Sequence, residues 1–216
     1  MLVTLLAHPP EASAASYFVS PDGDDAAAGT SPEGAWKSLG FAGARTYRPG
    51  DVLRLEGGET YTGTLAFGAD DGGDPEEPVT VAAYGPGRAT IRAAAGPGVS
   101  IYNAGGFALR DLDVVGPGVS ANATNGVNVY ADLPGDRLLP GVTIERVTAT
   151  GFGRAGVAIG SWSGRTGFRD VLVRDVRAHG NRHAGIVTYA QQRAVHRNVV
   201  ITRSQADGNW ASRGST

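Results

Sequence analysis

Residues 126–130 read Gly126-Val127-Asn128-Val129-Tyr130, and this short pattern occurs four times in the chain. The other copies are Gly98-Val99-Ser100-Ile101-Tyr102, Gly156-Val157-Ala158-Ile159-Gly160 and Gly185-Ile186-Val187-Thr188-Tyr189. The four opening glycines are 28, 30 and 29 residues apart. Alternating apolar residues within each copy indicate a short strand that is covered on one face, with the second and fourth residues, Ile186 and Thr188 in the last copy, facing the core. The nearly constant spacing indicates that these strands stack as one repeating unit.

A second series of apolar residues recurs out of phase with the first, at steps of 35, 29 and 28 residues. Its copies begin at Phe107, Val142, Val171 and Val199. Two-residue corners such as Glu145-Arg146, together with loops rich in Gly and Asn, divide each period into three short segments. A period of this length is typical of solenoids, because one repeat cannot bury its apolar face alone. The sequence therefore predicts an all-β chain folded as a right-handed parallel β-helix, a solenoid of three sheets.

The repeat Val-x-Ile-x-x-Val-x-Ala-x-Gly followed by Gly-Ile/Val-x-Ile/Val resembles that of the pectate-lyase-like superfamily. Residues 17–25 and 29–32 are similar to the N-terminal segment of its secreted bacterial members. The resemblance runs from Tyr17 to the end and implies the fold. It leaves the reaction open, since that superfamily contains polysaccharide lyases, glycoside hydrolases, uronate epimerases and non-enzymatic surface proteins. One corner departs from the family: where a stacked asparagine is frequent, this chain has Leu112, Val147, Val176 and Ser204.

The composition fits one elongated domain, with 33 glycines among 216 residues and no cysteine for a disulfide or thiolate site. Residues 1–16 combine a short apolar run with small residues of the Ala-x-Ala type, which predicts a signal-peptide remnant and secretion. A disordered N-terminus is the alternative. Residues 17–50 are expected to form an N-terminal strand, loop and capping helix, and residues 51–216 the coils.

The capping helix is predicted from Ser31 to Ala44. Ser31 and Pro32 are typical N-cap and N1 residues, and Trp36, Leu39 and Phe41 supply one apolar face. Such a helix would cover the open end of the first coil. After Asn209 no closing cap is recognisable, although solenoids need capped ends. The sequence is therefore interpreted as the N-terminal portion of a longer protein, monomeric at full length.

Charge is distributed unevenly along the chain. Residues 1–106 carry one Lys and five Arg against thirteen Asp and Glu, whereas residues 107–216 carry thirteen Arg against eight acidic residues. A basic scaffold favours an anionic partner. The coils have no nucleic-acid-binding module, and no segment is long and apolar enough to span a membrane. An acidic polysaccharide is therefore the expected partner, and arginines that merely decorate the surface are the alternative.

The repeats also predict a binding surface. The fifth residue of each Gly-Val-x-Ile-Tyr strand points outward, which places Tyr102, Tyr130 and Tyr189 in one column beside Asn128. We expect Gly160 to leave a gap between Tyr130 and Tyr189. These four polar and aromatic residues are the candidate substrate-binding residues, because phenol rings stack on sugars and donate hydrogen bonds. A packing ladder covered by loops is the alternative.

Catalytic residues are harder to identify. A lyase acting on uronates needs a base and a cation, and the only lysine, Lys37, lies in the predicted cap. Arg182 and His183, in the loop before the fourth repeat, are the candidates, although they also fit a surface loop without a role. A hydrolase needs two facing carboxylates, and no convincing pair is recognisable.

No cofactor and no metal site is predicted. Asp22, Asp24 and Asp25, and the acidic loop from Asp70 to Glu77, could bind Ca²⁺, but solvated loops are the simpler interpretation. The leading function is an extracellular β-helix protein that binds acidic polysaccharide or acts on it as a lyase. The alternatives are a non-catalytic surface or adhesive protein, and a glycoside hydrolase or epimerase whose catalytic residues lie beyond this chain.

Overall fold

The computed structural model describes residues 14–121, 123–193 and 195–210. Within these ranges the protein is nearly all β, and its single short helix is α1, Leu39–Gly43. In chain order the strands are β1 Ser16–Val19, β2 Val52–Glu56, β3 Thr60–Thr62, β4 Leu65–Phe67, β5 Val79–Tyr84, β6 Ala89–Arg92, β7 Val99–Tyr102, β8 Phe107–Val115, β9 Val127–Ala131, β10 Leu138–Leu139, β11 Val142–Thr150, β12 Ala155–Ser161, β13 Gly167–Arg174, β14 Arg177–His179, β15 Ala184–Ala190, β16 Arg197–Thr202 and β17 Gln205–Asp207.

The pairings between these strands are parallel throughout the described part of the chain. One sheet follows the path β1-β2-β5-β8-β11-β13-β10, with β3, β6, β14, β16 and β17 attached beside it. The other sheet is five-stranded, in the order β15-β12-β9-β7-β4. Paired residues lie one repeat apart, as in Val99, Val127, Val157 and Ile186. The predicted repeat and its register are confirmed.

The predicted inward column lies in the core over three of its four coils. Val99, Val127 and Val157 are fully buried, and so are the residues two positions later in each strand, Ile101, Val129 and Ile159. On β15, Ile186 is only half-buried and Thr188 is exposed. The prediction of a buried Thr188 is therefore wrong, because no described strand pairs with the second edge of β15.

The glycine that opens each repeat makes room for a side chain of the neighbouring coil. A Cβ added to Gly126 would lie 2.8 Å from the ring of Phe152. A Cβ added to Gly156 would lie 2.8 Å from Nδ2 of Asn181. Real Cβ atoms do not approach other atoms so closely, so the close stacking of the coils requires glycine here.

Two stacked asparagines, Asn181 and Asn209, lie in the turns after β14 and β17. Asn181 is fully buried; its Oδ1 accepts a hydrogen bond from the N–H of Phe152 at 3.0 Å, and its Nδ2 donates to Ala149 O at 3.1 Å. One repeat later, Oδ1 of Asn209 accepts from the N–H of Asn181 at 3.0 Å. The repeat lacks asparagine at the position of Leu112, and this pair at a different position of the repeat was not predicted. Buried amides of this kind satisfy backbone groups that the turn leaves unpaired.

The predicted start of the helix is wrong. Residues 31–34 form a turn, and Trp36 pairs as an isolated bridge with Val19. The helix begins at Leu39 after the N-cap Ser38, whose Oγ accepts a hydrogen bond from the N–H of Phe41 at 3.1 Å. Pairing with the first strand keeps Trp36 extended and so overrides the local helix signals.

The two-residue corner that contains Glu145-Arg146 combines left-handed backbone with alternating charge. Asp111, Arg146, Asp175 and Arg203 have φ values of 56°, 51°, 53° and 47°, a region that few residues other than glycine adopt. The strand registers place these four residues in one column, which we call the corner column. Arg146 binds both carboxylate oxygens of Asp111 at 2.7 and 2.9 Å, and Arg203 binds Asp175 at 2.8 and 2.7 Å.

Glu145 lies beside this column and is buried. Its carboxylate forms ion pairs with three guanidinium groups, those of Arg110, Arg146 and Arg174. A buried carboxylate is tolerated when cations compensate it. The interaction ties three successive coils together.

Parts of two predictions fall outside the described residues. The signal-peptide remnant was placed on residues 1–16, of which 1–13 are not described. Ser16 already belongs to β1, and the N–H of Ala15 donates to Asp51 Oδ1 at 2.8 Å. Residues 211–216, where a closing cap was sought, also lie outside the described ranges.

Candidate functional site

Three tyrosine rings form a continuous column along the five-stranded sheet, and we call this set the tyrosine column. Tyr102 on β7 and Tyr130 on β9 are paired in register, with ring centroids 6.0 Å apart and an interplanar angle of 15°. Tyr130 and Tyr189 on β15 are 6.4 Å apart at 33°. Tyr102 is 44% exposed, so the column reaches solvent at that end.

The expected gap at Gly160 is absent. Gly160 lies between Tyr130 and Tyr189 in register. A Cβ at Gly160 would lie only 2.1 Å from Cζ of Tyr189, so the tyrosine ring occupies the space above the glycine. The missing side chain lets Tyr189 lean across one coil and contact Tyr130.

A carboxylate that lies outside the repeat pattern binds the first phenol. The hydroxyl of Tyr102 donates to Asp132, with Oδ1 and Oδ2 at 2.9 and 2.8 Å. Asn103 Nδ2 also donates to Asp132 Oδ1 at 2.9 Å, and the N–H of Asp132 donates to Asn103 Oδ1 at 2.8 Å. The available signal was the position of Asp132, two residues after Tyr130 at the start of a long loop. These bonds fix Tyr102 and Asp132 relative to each other.

Asn128 lies two residues before Tyr130 and therefore on the same side of β9. Its Oδ1 accepts a hydrogen bond from Asn125 Nδ2 at 2.8 Å. Asn125 Oδ1 accepts from the N–H of Ala155 at 3.0 Å. Asn128 is thus held in place by the loop that precedes its strand, and it is half-buried rather than fully accessible.

All three phenols stay protonated at neutral pH. The pKa of Tyr102 is raised chiefly because its hydroxyl donates to the Asp132 carboxylate. Partial burial raises the pKa of Tyr130, with the charge of Asp132 adding to the effect. Burial also raises the pKa of Tyr189, and the positive charge of Arg154 opposes the shift. The column therefore presents neutral rings with hydroxyl donors.

Arg182 and His183 are not brought to the tyrosine column. Both side chains are exposed in the loop before β15, where their N–H groups donate to Phe152 O at 2.8 Å and Arg154 O at 3.1 Å. Tyr189 lies near the other end of β15. At the rise of a β-strand, His183 and Tyr189 are about 20 Å apart.

Part of the arginine excess in the coils is compensated by ion pairs on the longer sheet. The arginines that form them are Arg88, Arg110, Arg146, Arg169, Arg174, Arg177 and Arg203. Paired charges project little field into solvent. The tyrosine column instead has Asp132 at one end and Arg154 near the other, so its two ends differ in charge.

The acidic loops use their carboxylates to hold backbone. Asp25 accepts hydrogen bonds from the N–H groups of Lys37 and Ser38 and from Ser38 Oγ, at 2.7 to 2.9 Å. Asp71 accepts from the N–H groups of Tyr47 and Gly68 at 2.8 and 2.7 Å. Among the described residues, no three His, Asp or Glu side chains converge as metal ligands would.

The described residues also contain no helix that is long and apolar enough to cross a membrane.

The chain is similar in fold to parallel β-helix proteins. No family model matches it. A 76-residue segment is 40% identical to the lacto-N-biosidase of Bifidobacterium longum subsp. longum and covers 34% of this chain but only 5% of that protein.

The native crystal structure of GH136 lacto-N-biosidase from Eubacterium ramulus is similar over 88% of this chain and 40% of its own, with 17% identity and a TM-score of 0.58. Its selenomethionine derivative is similar over 89% of this chain and 34% of its own, with 14% identity and a TM-score of 0.50. At this level of identity the likeness shows the fold. The chain spans well under half of these relatives.

Proposed function

We propose that the tyrosine column binds polysaccharide, as part of a protein that acts on carbohydrate. The observation that carries the proposal is the unbroken series of phenol rings at 6.0 and 6.4 Å, a row of flat apolar faces with hydroxyl donors. Sugar rings stack on such faces, and their hydroxyls exchange hydrogen bonds with phenols. The similarity to proteins named lacto-N-biosidase supports a carbohydrate ligand.

The proposed partner is an acidic polysaccharide, bound outside the cell by a secreted protein. Arg154, whose positive charge acts on Tyr189, supplies positive charge at the Tyr189 end of the tyrosine column. A uronate would be favoured there and disfavoured beside Asp132. The partner would therefore carry its acidic units toward the Tyr189 end.

The proposed architecture is a right-handed solenoid of three sheets whose first coil is covered by α1. Leu39 and Ala42 of the helix are buried. A Cβ on Gly43 would lie 3.0 Å from the carbonyl oxygen of Ala66 on β4, so the helix packs closely against the first strand of the five-stranded sheet.

Two reactions are compatible with this surface. A lyase would use Arg182 and His183 as candidates, and their distance from the tyrosine column would require a ligand that extends to the start of β15. A glycoside hydrolase is favoured by the names of the similar proteins and by Asp132, a carboxylate fixed at Tyr102. Such a hydrolase needs a second carboxylate across the scissile bond. A surface protein that binds without catalysis is the remaining alternative.

The proposal is tested by titrating the protein with polygalacturonate, alginate and a neutral glucan. Tyr130→Ala should weaken binding about tenfold, since it removes the central ring of the column. Tyr84→Ala, at a half-buried tyrosine on the longer sheet, is the matched control and should leave affinity unchanged. Equal effects of the two variants, or no binding to any of the three glycans, would refute the proposal.

The same incubations distinguish the reactions. Unsaturated products that absorb in the ultraviolet indicate a lyase. New reducing ends without that absorbance indicate a hydrolase, and binding without either product indicates a non-catalytic protein.

A further inference from the structure

A cavity of about 460 Å³ opens beside the Tyr102 end of the tyrosine column, and we call it the loop cavity. This volume lies within the range of about 300 to 1,000 Å³ typical of small-molecule sites. Four segments line it, residues 46–49, 69–73, 103–105 and 139–140.

The loop cavity exists because a short loop lies between two long ones. The three loops follow β4, β7 and β9 of the five-stranded sheet. The loop from β7 to β8 is residues 103–106, whereas the connections on either side are residues 68–78 and 132–141. The short loop forms the floor, and its longer neighbours form walls.

Glycines, which lack a side chain, let the walls approach this floor closely. A Cβ on Gly105 would lie 2.3 Å from Pro140 O, and a Cβ on Gly72 would lie 2.8 Å from Gly105 O. The N–H of Gly73 donates to Gly105 O at 3.2 Å, and the N–H of Gly106 donates to the carbonyl of Gly141 at 3.0 Å. The cavity is therefore a pre-formed part of the stacked coils, and binding would require little ordering of the loops.

The loop cavity continues directly from the tyrosine column. Asn103 forms part of its floor and follows Tyr102 in the chain. Asn103 has φ 58°, and its side chain is held by Asp132, the residue that also binds the Tyr102 hydroxyl. A chain of sugar units that stacks on Tyr102 would thus meet Asp132 and Asn103 before it enters the cavity.

The charges of the lining disfavour an acidic ligand. Asp70 is exposed, Asp71 is held by two backbone N–H groups, and Arg48 is the one basic residue among those that line the cavity. Asp132 adds a further carboxylate at the entrance. Carboxylate oxygens accept hydrogen bonds from sugar hydroxyls, whereas a uronate would be repelled.

We propose that the loop cavity binds the uncharged terminal unit of a glycan whose following units lie on the tyrosine column. The proposal rests on the proposed function and adds to it that the protein recognises a chain end. An open surface would bind the interior of a polymer equally well, but the walls at residues 69–73 and 139–140 stop the ligand at the cavity.

The test titrates the intact protein with oligosaccharides of defined lengths from the neutral glucan. Polygalacturonate and alginate oligosaccharides, whose terminal units are uronates, should not occupy the cavity. If the cavity takes a chain end, one protein binds per oligosaccharide at every length. Oxidation of the bound terminal unit to a uronate should weaken binding about tenfold. A stoichiometry that rises with chain length would overturn the proposal.

A variant that fills the cavity gives a second readout. Ala69→Trp, at an exposed alanine of the lining, should abolish the dependence on a free chain end and weaken binding of short oligosaccharides about tenfold. Ala94→Trp, at an exposed alanine of the loop after β6, is the matched control and should bind like the wild type.

The two proposals fail in different ways. If Tyr130→Ala weakens binding while Ala69→Trp does not, the tyrosine column binds glycan and the cavity proposal is wrong. If neither variant changes binding, or no glycan binds, both proposals are wrong.

Discussion

Tyr189 lies over Gly160 of the neighbouring coil, where a Cβ would be 2.1 Å from the phenol carbon Cζ. The continuity of the tyrosine column thus depends on a side chain that is missing. The atom that an added Cβ would meet is at the far end of the Tyr189 ring, and this ring can rotate away without moving the backbone. Gly160 therefore controls the column while contributing little to the fold.

Gly160→Ala should break the column and leave the protein folded. We expect the affinity for glycan to fall about as much as in Tyr189→Ala, by about 1 kcal/mol, with little change in the free energy of unfolding. Titration and urea unfolding measure the two quantities. Gly40→Ala, where an added Cβ meets no atom within 4 Å, is the control. Unchanged affinity in Gly160→Ala would contradict the importance of ring continuity.

Ile159→Asp should unfold the coils, because Ile159 is fully buried and an unpaired charge there costs several kcal/mol. Thr188 is its register partner on β15 but is exposed, so Thr188→Asp should change the free energy of unfolding by less than about 1 kcal/mol. Circular dichroism and urea unfolding distinguish the outcomes. Equal damage from both substitutions would show that β15 is buried in solution.

Glu145→Gln should destabilise the protein by about 1.5 to 3 kcal/mol, since it removes the charged acceptor that three partly exposed guanidinium groups share. Asp111→Asn removes a bidentate pair with Arg146 at the surface and should cost about 1 kcal/mol or less. Urea unfolding at neutral pH compares them. The reverse order of effects would mean that the corner column, rather than Glu145, holds the coils together.

Acid should selectively remove the stability that the corner column supplies. The pKa values of Asp111 and Asp175 lie below the ordinary 3.8 because Arg146 and Arg203 donate hydrogen bonds to them. A carboxyl group whose pKa is lower in the folded state stabilises that state above its unfolded pKa, and the contribution is lost as the pH falls through the folded pKa.

Wild type and an Asp111→Asn, Asp175→Asn double variant should therefore differ at neutral pH and converge below pH 3.8. Urea unfolding across the acid range measures the difference. A difference that persists into strong acid would show that these aspartates act through packing and not through charge.

The repeat was predictable because its signal is local. Alternating apolar residues at a fixed period give strand positions and register directly, and Val99, Val127 and Val157 lie where that pattern places them. The helix start was not predictable in the same way. Ser31 and Pro32 are genuine N-terminal signals, but the pairing of Trp36 with Val19 outweighs them and is a contact between distant residues.

The candidate site was predicted only in outline. The alternation identified Tyr102, Tyr130 and Tyr189, but how a ring leans across Gly160 depends on its side-chain rotamer and not on spacing. Asp132 was missed because it lies in an irregular loop that carries no periodic signal. The loop cavity results from a short loop between two long ones. These loop lengths can be read from the spacing of the repeats, so the sequence could have predicted the cavity.

The corner column also determines which coils can be neighbours. Asp111, Arg146, Asp175 and Arg203 alternate in sign from one coil to the next. If the growing stack omitted one coil, Asp111 would face Asp175, or Arg146 would face Arg203. Like charges opposite each other on paired strands are destabilising. The alternation thus makes a stack that omits a single coil less stable than the correct one during folding.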